Sequence, residues 1–168
     1  ELSNARNRIK VASLSAALTA ALTRAAASQQ LPLAELEELV VPTYGLELPG
    51  FRTEILGTVE ARLEVAGTTD VGLRWFREGK ELKAPPVEVK EEHTDVLKEL
   101  KASAKEMAAT LLAQRSRIEG MMLSGRTVPY PDWRARYLDH PLLANMTRRL
   151  IWRFATPAGE WLGIAPDG

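Results

Sequence analysis

Leu97–Met121 reads LKELKASAKEMAATLLAQRSRIEGM, and its apolar residues recur with a four-three rhythm at Leu97, Leu100, Ala104, Met107, Leu111, Ile118 and Met121, interrupted at Gln114. A helix of 3.6 residues per turn stacks such positions into one seam, so the spacing predicts a long helix with one face committed to packing. Glu88, Glu91, Glu92 and Asp95 precede the seam and Arg115 and Arg117 follow it, which matches the polarity of the helix dipole. The helix is predicted over 88–125, with Gly125 as its left-handed stop. Lys101, Ser103, Ala108, Thr110, Arg115 and Arg117 flank the seam without the alternating Glu and Lys of a dimeric zipper. Packing within the fold is therefore favoured over a homodimeric coiled coil.

On the N-terminal side of this seam the period changes to two. Ile55, Gly57, Val59, Ala61, Leu63 and Val65 alternate with Glu54, Leu56, Thr58, Glu60, Arg62 and Glu64, and a Gly67-Thr68-Thr69-Asp70 turn leads to Val71, Leu73 and Trp75 or Phe76. A second turn at Glu78-Gly79-Lys80 gives Glu81-Leu82-Lys83, and Ala84-Pro85-Pro86 closes the region because proline cannot feed a ladder. The expectation over 51–86 is a hairpin region of three short strands with one wet face. Thr43 to Gly50, with Gly45, Pro49 and Gly50, is predicted to be a loop.

The N-terminal part, 1–42, reads as helical. Ser3 or Asn4 can cap a helix striped by Val11, Leu14, Leu18, Leu22 and Ala25, and Pro32 sits near the start of a shorter one through Leu33, Leu36, Leu39 and Val40. Over 130–165, Pro131 opens a short helix through Trp133, Tyr137 and Leu138. His140 is placed to cap a helix that starts at Pro141 and carries Leu142, Leu143, Met146 and Leu150. Ile151 to Phe154 and Trp161 to Ile164, around a Thr156–Gly159 turn, form a last hairpin. Two strands alone are marginal in water, so the pair is expected to join the earlier sheet or to await strands from elsewhere.

The fold class that follows is α+β, a small antiparallel sheet packed on one long helix and several shorter ones. At 168 residues the length suits one domain across 1–168. Hydrophobic residues are 45% and charged residues 26%, which leaves no compositional case for disorder. Lys plus Arg and Asp plus Glu are 22 each, so no global field favours nucleic acid or an anionic membrane, and such a partner must use a local patch. The absence of Cys excludes disulfides and thiolate chemistry and fits a cytoplasmic location. Ser13, Ser15, Thr19, Thr23 and Arg24 interrupt the most apolar stretch, so no membrane span or signal segment is expected. A start at Glu1 without methionine suggests a segment of a larger protein.

Short motifs recur in a familiar order: Leu33–Gly45 (LAELEELVVPTYG), Gly79-Lys80-Glu81-Leu82-Lys83 before Pro85, Leu97-Lys98-Glu99-Leu100, Arg117-Ile118-Glu119, His140-Pro141-Leu142-Leu143 and Leu150-Ile151-Trp152. In this the chain resembles the large bacterial molybdate metabolism regulator-like proteins, which often carry a WGR domain beside a long region of unknown function. The resemblance implies a bacterial parent far longer than this chain, with helical repeat-like regions ahead of it and a loose link to regulation. It supplies no catalytic residues.

Candidate chemistry is sparse. His93 beside Glu91, Glu92 and Asp95 suggests a hard-metal site, but consecutive acidic residues face different sides of a helix and no spaced His follows, so a solvated helix start is preferred. His140 next to Asp139 could serve as an oriented base with Ser124 or Tyr137, but capping explains it. Gly67, Gly72 and Gly79 are spaced as hairpin turns and make no phosphate cradle. Glu35, Glu37, Glu38, Glu91 and Glu92 lie on polar helix starts, where carboxylates are expected without glycosidase-like chemistry. No catalytic, cofactor or metal residue is assigned, and the chain is expected not to be an enzyme.

The strongest remaining signal is basic and aromatic. Arg126, Arg134, Arg136, Arg148, Arg149 and Arg153 are interleaved with Tyr130, Trp133, Tyr137 and Trp152, a set able to hold phosphates and stack bases. The competing reading makes the aromatics core anchors and pairs the arginines with Glu119, Asp132, Asp139 and Glu160. The sequence thus points to a structural or protein-interaction domain, bound to other domains of its parent or to a protein partner. Nucleic-acid binding through residues 126–153 is the first alternative, and a fragment of an enzyme whose active site lies outside this chain is the second.

Overall fold

The computed structural model describes residues 20, 21, 23–25, 27, 28 and 33–166. Where the sequence suggests one domain across 1–168, the chain divides into two compact units, Glu1–Pro42 and Thr43–Gly168. In the first, the described positions between 20 and 28 are helical, and α1 (Leu33–Leu39) covers the expected short helix. Glu35 stands in its first turn, where the helix dipole favours a carboxylate. The Ser3 or Asn4 cap and the stripe through Val11, Leu14, Leu18 and Leu22 lie outside the described residues.

The second unit holds the α+β fold. Its sheet has four strands, not three: β1 (Phe51–Leu56), β2 (Val59–Val65), β3 (Val71–Arg77) and β4 (Lys80–Leu82), antiparallel in sequence order. The extra strand arises at Gly57-Thr58. A residue with positive φ there, Gly57 at 63°, closes a two-residue hairpin loop in which Leu56 pairs with Val59. A glycine takes that backbone without steric cost, and such loops match the twist of the flanking strands. The tight turn also inverts parity. Even-numbered residues of β1 lie opposite odd-numbered residues of β2, so Leu56 is buried while Ile55 is 68% exposed. The alternation expected from Ile55 onward therefore holds only from Val59, where Val59, Ala61, Leu63 and Val65 face the core. On β3 the inward aromatic is Trp75, paired with Ala61, and Phe76 lies on the outer face.

That outer face is the expected wet one, and its charges are knitted together. The Arg62 guanidinium lies 5.1 Å from the Phe51 ring centroid and 4.7 Å from that of Phe76. Arg74 donates to Glu64 Oε1 at 3.2 Å and, through Nε, to Glu81 Oε1 at 2.8 Å. These bonds hold the Glu81 carboxyl below the usual carboxylate range and raise the Arg74 guanidinium further above its already high value.

The helix expected over 88–125 is two helices. α2 (Val87–Glu92) and α3 (Thr94–Ser124) meet at His93, whose φ of −121° and ψ of 34° leave the helical region. Thr94 Oγ1 donates to the Lys90 carbonyl at 2.7 Å across this break. α3 ends as expected, with Gly125 left-handed at φ 66°. Its seam is buried at Leu97, Leu100, Met107, Leu111 and Ile118, and α3 packs along β3, so the seam is satisfied within the unit. Gln114 does not interrupt it. The side chain is buried and its Oε1 accepts from Arg117 Nε at 2.7 Å, while Arg117 Nη1 donates to the Tyr137 hydroxyl at 3.0 Å. Thr110, also buried on α3, shares a 2.8 Å hydrogen bond with the Tyr44 hydroxyl from the 43–50 loop.

Beyond Gly125 the chain forms α4 (Tyr130–Trp133), a π-helical turn (Arg134–Leu138) and α5 (Ala144–Arg148). The π turn is marked by the Asp139 N–H donating to the Arg134 carbonyl at 2.8 Å. His140 Nδ1 accepts the Leu142 N–H at 3.2 Å and its carbonyl accepts from Ala144 at 2.8 Å, so it caps a turn over Pro141–Leu143, and the helix expected to start at Pro141 and reach Leu150 is confined to Ala144–Arg148 with Leu143 at its N-cap. This segment is tied to the sheet. Asn145 Nδ2 donates to the Val65 carbonyl at 2.6 Å, and Gly50, at φ 116°, sits so close that a Cβ would lie 3.0 Å from the Pro141 carbonyl oxygen. The last hairpin is β5 (Trp152–Ala155) with β6 (Trp161–Ile164), and it stands as a separate two-stranded sheet that does not join the first.

Candidate aromatic cleft

A cleft of about 500 Å³ opens between the C-terminal end of α3, α4 and the last hairpin. Its floor is an aromatic cluster. Trp133 packs edge-on against Phe154 at 4.8 Å and Trp152 at 5.4 Å, and stacks with Tyr130 at 5.7 Å. Edge-to-face pairs place the positive ring edge over the negative face of a neighbour, which fixes the rings relative to one another. Trp133, Tyr137 and Trp152 are buried, whereas Tyr130 is 55% exposed and Trp161 52% exposed at the mouth. Trp152 Nε1 donates to the Thr147 carbonyl at 2.8 Å. Among the described residues the Trp133 indole N–H has no such acceptor although it is buried. A buried donor without a partner costs about 1–3 kcal/mol, and it is satisfied when an acceptor arrives.

Met121 and Met122 add soft apolar surface from α3, and Arg126 and Arg153 supply the charge. Arg153 lies 5.0 Å over the Trp161 ring and has no carboxylate partner among the described residues. No lining residue is Asp, Glu, His or Lys.

The six arginines of the expected contact patch do not converge. Arg126 and Arg153 line the cleft. Arg134 pairs with Asp139 at 2.9 Å, and Arg136, with a side chain only 14% exposed, pairs with Asp132 at 3.4 Å. Arg148 and Arg149 lie on and just after α5, and neither lines the cleft. The side chains of the alternative centre are each engaged in other bonds. Ser124 Oγ donates to the Met121 carbonyl at 2.8 Å, the Tyr137 hydroxyl is held by Arg117, and the His140 Nδ1 lone pair is used in capping. Among the described residues no group of three His, Cys, Asp or Glu is placed to hold a metal ion, and no helix is long and apolar enough to cross a membrane.

Sequence reading singled out Tyr130, Trp133, Trp152, Arg126 and Arg153 but missed Phe154, Trp161, Met121 and Met122 as parts of one cavity. The available signal was the last strand itself, Trp161-Leu162-Gly163-Ile164, which carries no charge and is exposed at every position.

An α+β unit with an aromatic, cation-bearing cleft is thus the class of structure defined here. Residues 79–165 match the family described as Domain of unknown function (DUF4132), and the chain belongs to that family. The matched span runs from the β3–β4 turn through the last hairpin and so includes the whole cleft. No curated protein and no solved structure matches the chain.

Proposed function

We propose that the Thr43–Gly168 unit is a non-catalytic interaction domain that binds other domains of its parent protein or a protein partner. One observation carries this reading: the cleft combines half-exposed aromatic residues, methionines and guanidinium groups with no carboxylate or imidazole in its lining. Such a lining binds and orients but has no side chain suited to general acid–base transfer near neutral pH. Aromatic and Arg side chains are those enriched where protein surfaces bind one another. The order of the short motifs supports a parent of the bacterial molybdate regulator-like kind, acting in the cytoplasm.

Panning a random peptide library on the full chain tests the proposal. Enriched peptides should quench or shift tryptophan fluorescence and compete with one another for a single site. A library that yields no saturable binder overturns the interaction reading.

Nucleic-acid binding is the second reading, and the pairing of Arg153 with the exposed ring of Trp161 favours it. It requires labelled single-stranded DNA or RNA to bind at low ionic strength with an affinity that falls steeply as salt rises. Arg148→Ala with Arg149→Ala should weaken that binding if the patch extends beyond the cleft. No affinity at low salt removes this reading.

A further inference from the structure

β5 is bordered by the cleft along its edge. Ile151, Trp152, Arg153, Phe154 and Ala155 all line it consecutively, although neighbouring residues of a strand point to opposite faces. A strand that contributes every residue to one cavity is seen edge-on. The ladder fixes which backbone groups that edge presents. The Thr156 N–H donates to the Glu160 carbonyl at 2.8 Å, which makes this a hydrogen-bonded pair, and Trp152 with Ile164 and Phe154 with Leu162 continue the alternation. The N–H and C=O groups of Arg153 and Ala155 therefore point away from β6. The sheet has only two strands, so no further strand of this chain receives them among the described residues.

Sheet edges are ordinarily blunted by Lys, Pro, bulges or covering elements. β5 (WRFA) and β6 (WLGI) carry one charge between them, Arg153, and that cation has no carboxylate partner among the described residues. On the same face as Arg153 lies Ile151, 71% exposed, while Tyr130 and Met122 stand across the cleft at 55% and 43%.

Resting on the interaction reading above, we infer that the cleft receives an extended peptide segment of a partner protein, added as a third strand along β5, with an acidic residue beside Arg153 flanked by apolar residues. Main-chain bonds to Arg153 and Ala155 supply register, and alternate side chains supply selectivity. The negative charge of the segment answers the Arg153 guanidinium, and the apolar residues on either side of it, which point to the opposite face, cover Met122 and Tyr130 on the Phe154 side. The buried Trp133 indole N–H offers a donor within the same cleft.

Three capped, fluorescent hexapeptides test this on the full chain: Thr-Val-Glu-Val-Thr-Ser, the same sequence with Lys for Glu, and the Glu peptide N-methylated at alternate amides. The Glu peptide should slow hydrogen exchange at the Arg153 and Ala155 amides at least tenfold at saturation. The Lys peptide should bind at least tenfold more weakly, and the N-methylated peptide should lose both binding and protection. Arg153→Glu should reverse the order of the Glu and Lys peptides, a reversal that a misfolded variant would not produce. Absent protection at Arg153 and Ala155, equal binding of the N-methylated peptide, pairing of two copies of the chain along β5, or displacement of the peptide by single-stranded DNA each overturns the inference. Library peptides that bind saturably elsewhere would leave the interaction reading standing while this one fell.

Discussion

The two sheets of the Thr43–Gly168 unit are built from similar material and finished differently. In the four-stranded sheet one face is buried along α3 and the other is tied down by Arg62 between Phe51 and Phe76 and by Arg74 between Glu64 and Glu81. In the two-stranded sheet one face meets the aromatic cluster, but Trp161, Leu162 and Ile164, with Ile151 just before β5, remain 46–71% exposed. The first sheet satisfies itself. The second leaves apolar surface and a backbone edge open, the combination that marks a binding surface.

The largest test of that contrast compares two tryptophans in the same hairpin. Trp152 is 8% exposed, packs against Trp133 and Tyr137, and donates to the Thr147 carbonyl. Trp152→Ala should destabilise by about 3–5 kcal/mol, the range for deleting a buried aromatic. Trp161→Ala should cost only about 0.5–1 kcal/mol, the worth of an exposed cation–π contact. Urea denaturation of both variants measures the difference. Equal losses would mean that Trp161 is a structural residue and that the cleft mouth is part of the core.

The same contrast explains how much of the molecule was legible beforehand. The α3 seam was legible because burial on one helical face leaves a regular mark, and so was the Gly125 stop. The polar member Gln114 looked like an interruption because what satisfies it is a chain of bonds: Arg117, three positions on in the same helix, bonds it and also the Tyr137 hydroxyl, twenty positions beyond Arg117. The fourth strand was hidden by local composition. Leu56-Gly57-Thr58-Val59 continues an alternating pattern on paper, and only the positive φ at Gly57 converts it into a turn that swaps the inward parity. The cleft was legible as residues and not as a shape. Tyr130, Trp133, Arg126 and Arg153 stand out by type, and the competing reading that pairs arginines with nearby carboxylates holds for Arg134 with Asp139 and Arg136 with Asp132, but nothing local states that Arg153 has no carboxylate partner among the described residues. The break at His93 has no comparable mark, since acidic residues and good helix formers continue on both sides of it.

The two regions are also joined, and an intermediate effect should reveal how firmly. The Asn145 amide donates 2.6 Å to the Val65 carbonyl at the end of β2, and Gly50 brings the backbone against Pro141 beside it. Asn145→Ala leaves that carbonyl without its side-chain donor and should cost about 1–3 kcal/mol. If the segment after Gly125 folds as one body with the four-stranded sheet, the variant should still unfold in a single transition, followed by Trp75 and Trp152 environments together. Two separated transitions would show that the open region has a stability of its own.

The smallest effect belongs to the closed sheet's exterior. Hydrogen bonding to Arg74, reinforced by its charge, holds the Glu81 carboxyl below the usual carboxylate range, with desolvation opposing. A carboxyl depressed in the folded state contributes stability at pH values above its unfolded pKa, and that contribution is lost as pH falls through the folded value. Glu81→Gln should therefore lower stability slightly at neutral pH, with the gap from the parent chain closing as the solution is acidified past the carboxylate range. Because both groups are in solvent, added salt should shrink the same gap. A difference that persists unchanged at low pH would assign Glu81's role to packing on β4, and the outer face would then be held by its aromatic sandwich at Arg62 and not by its charges.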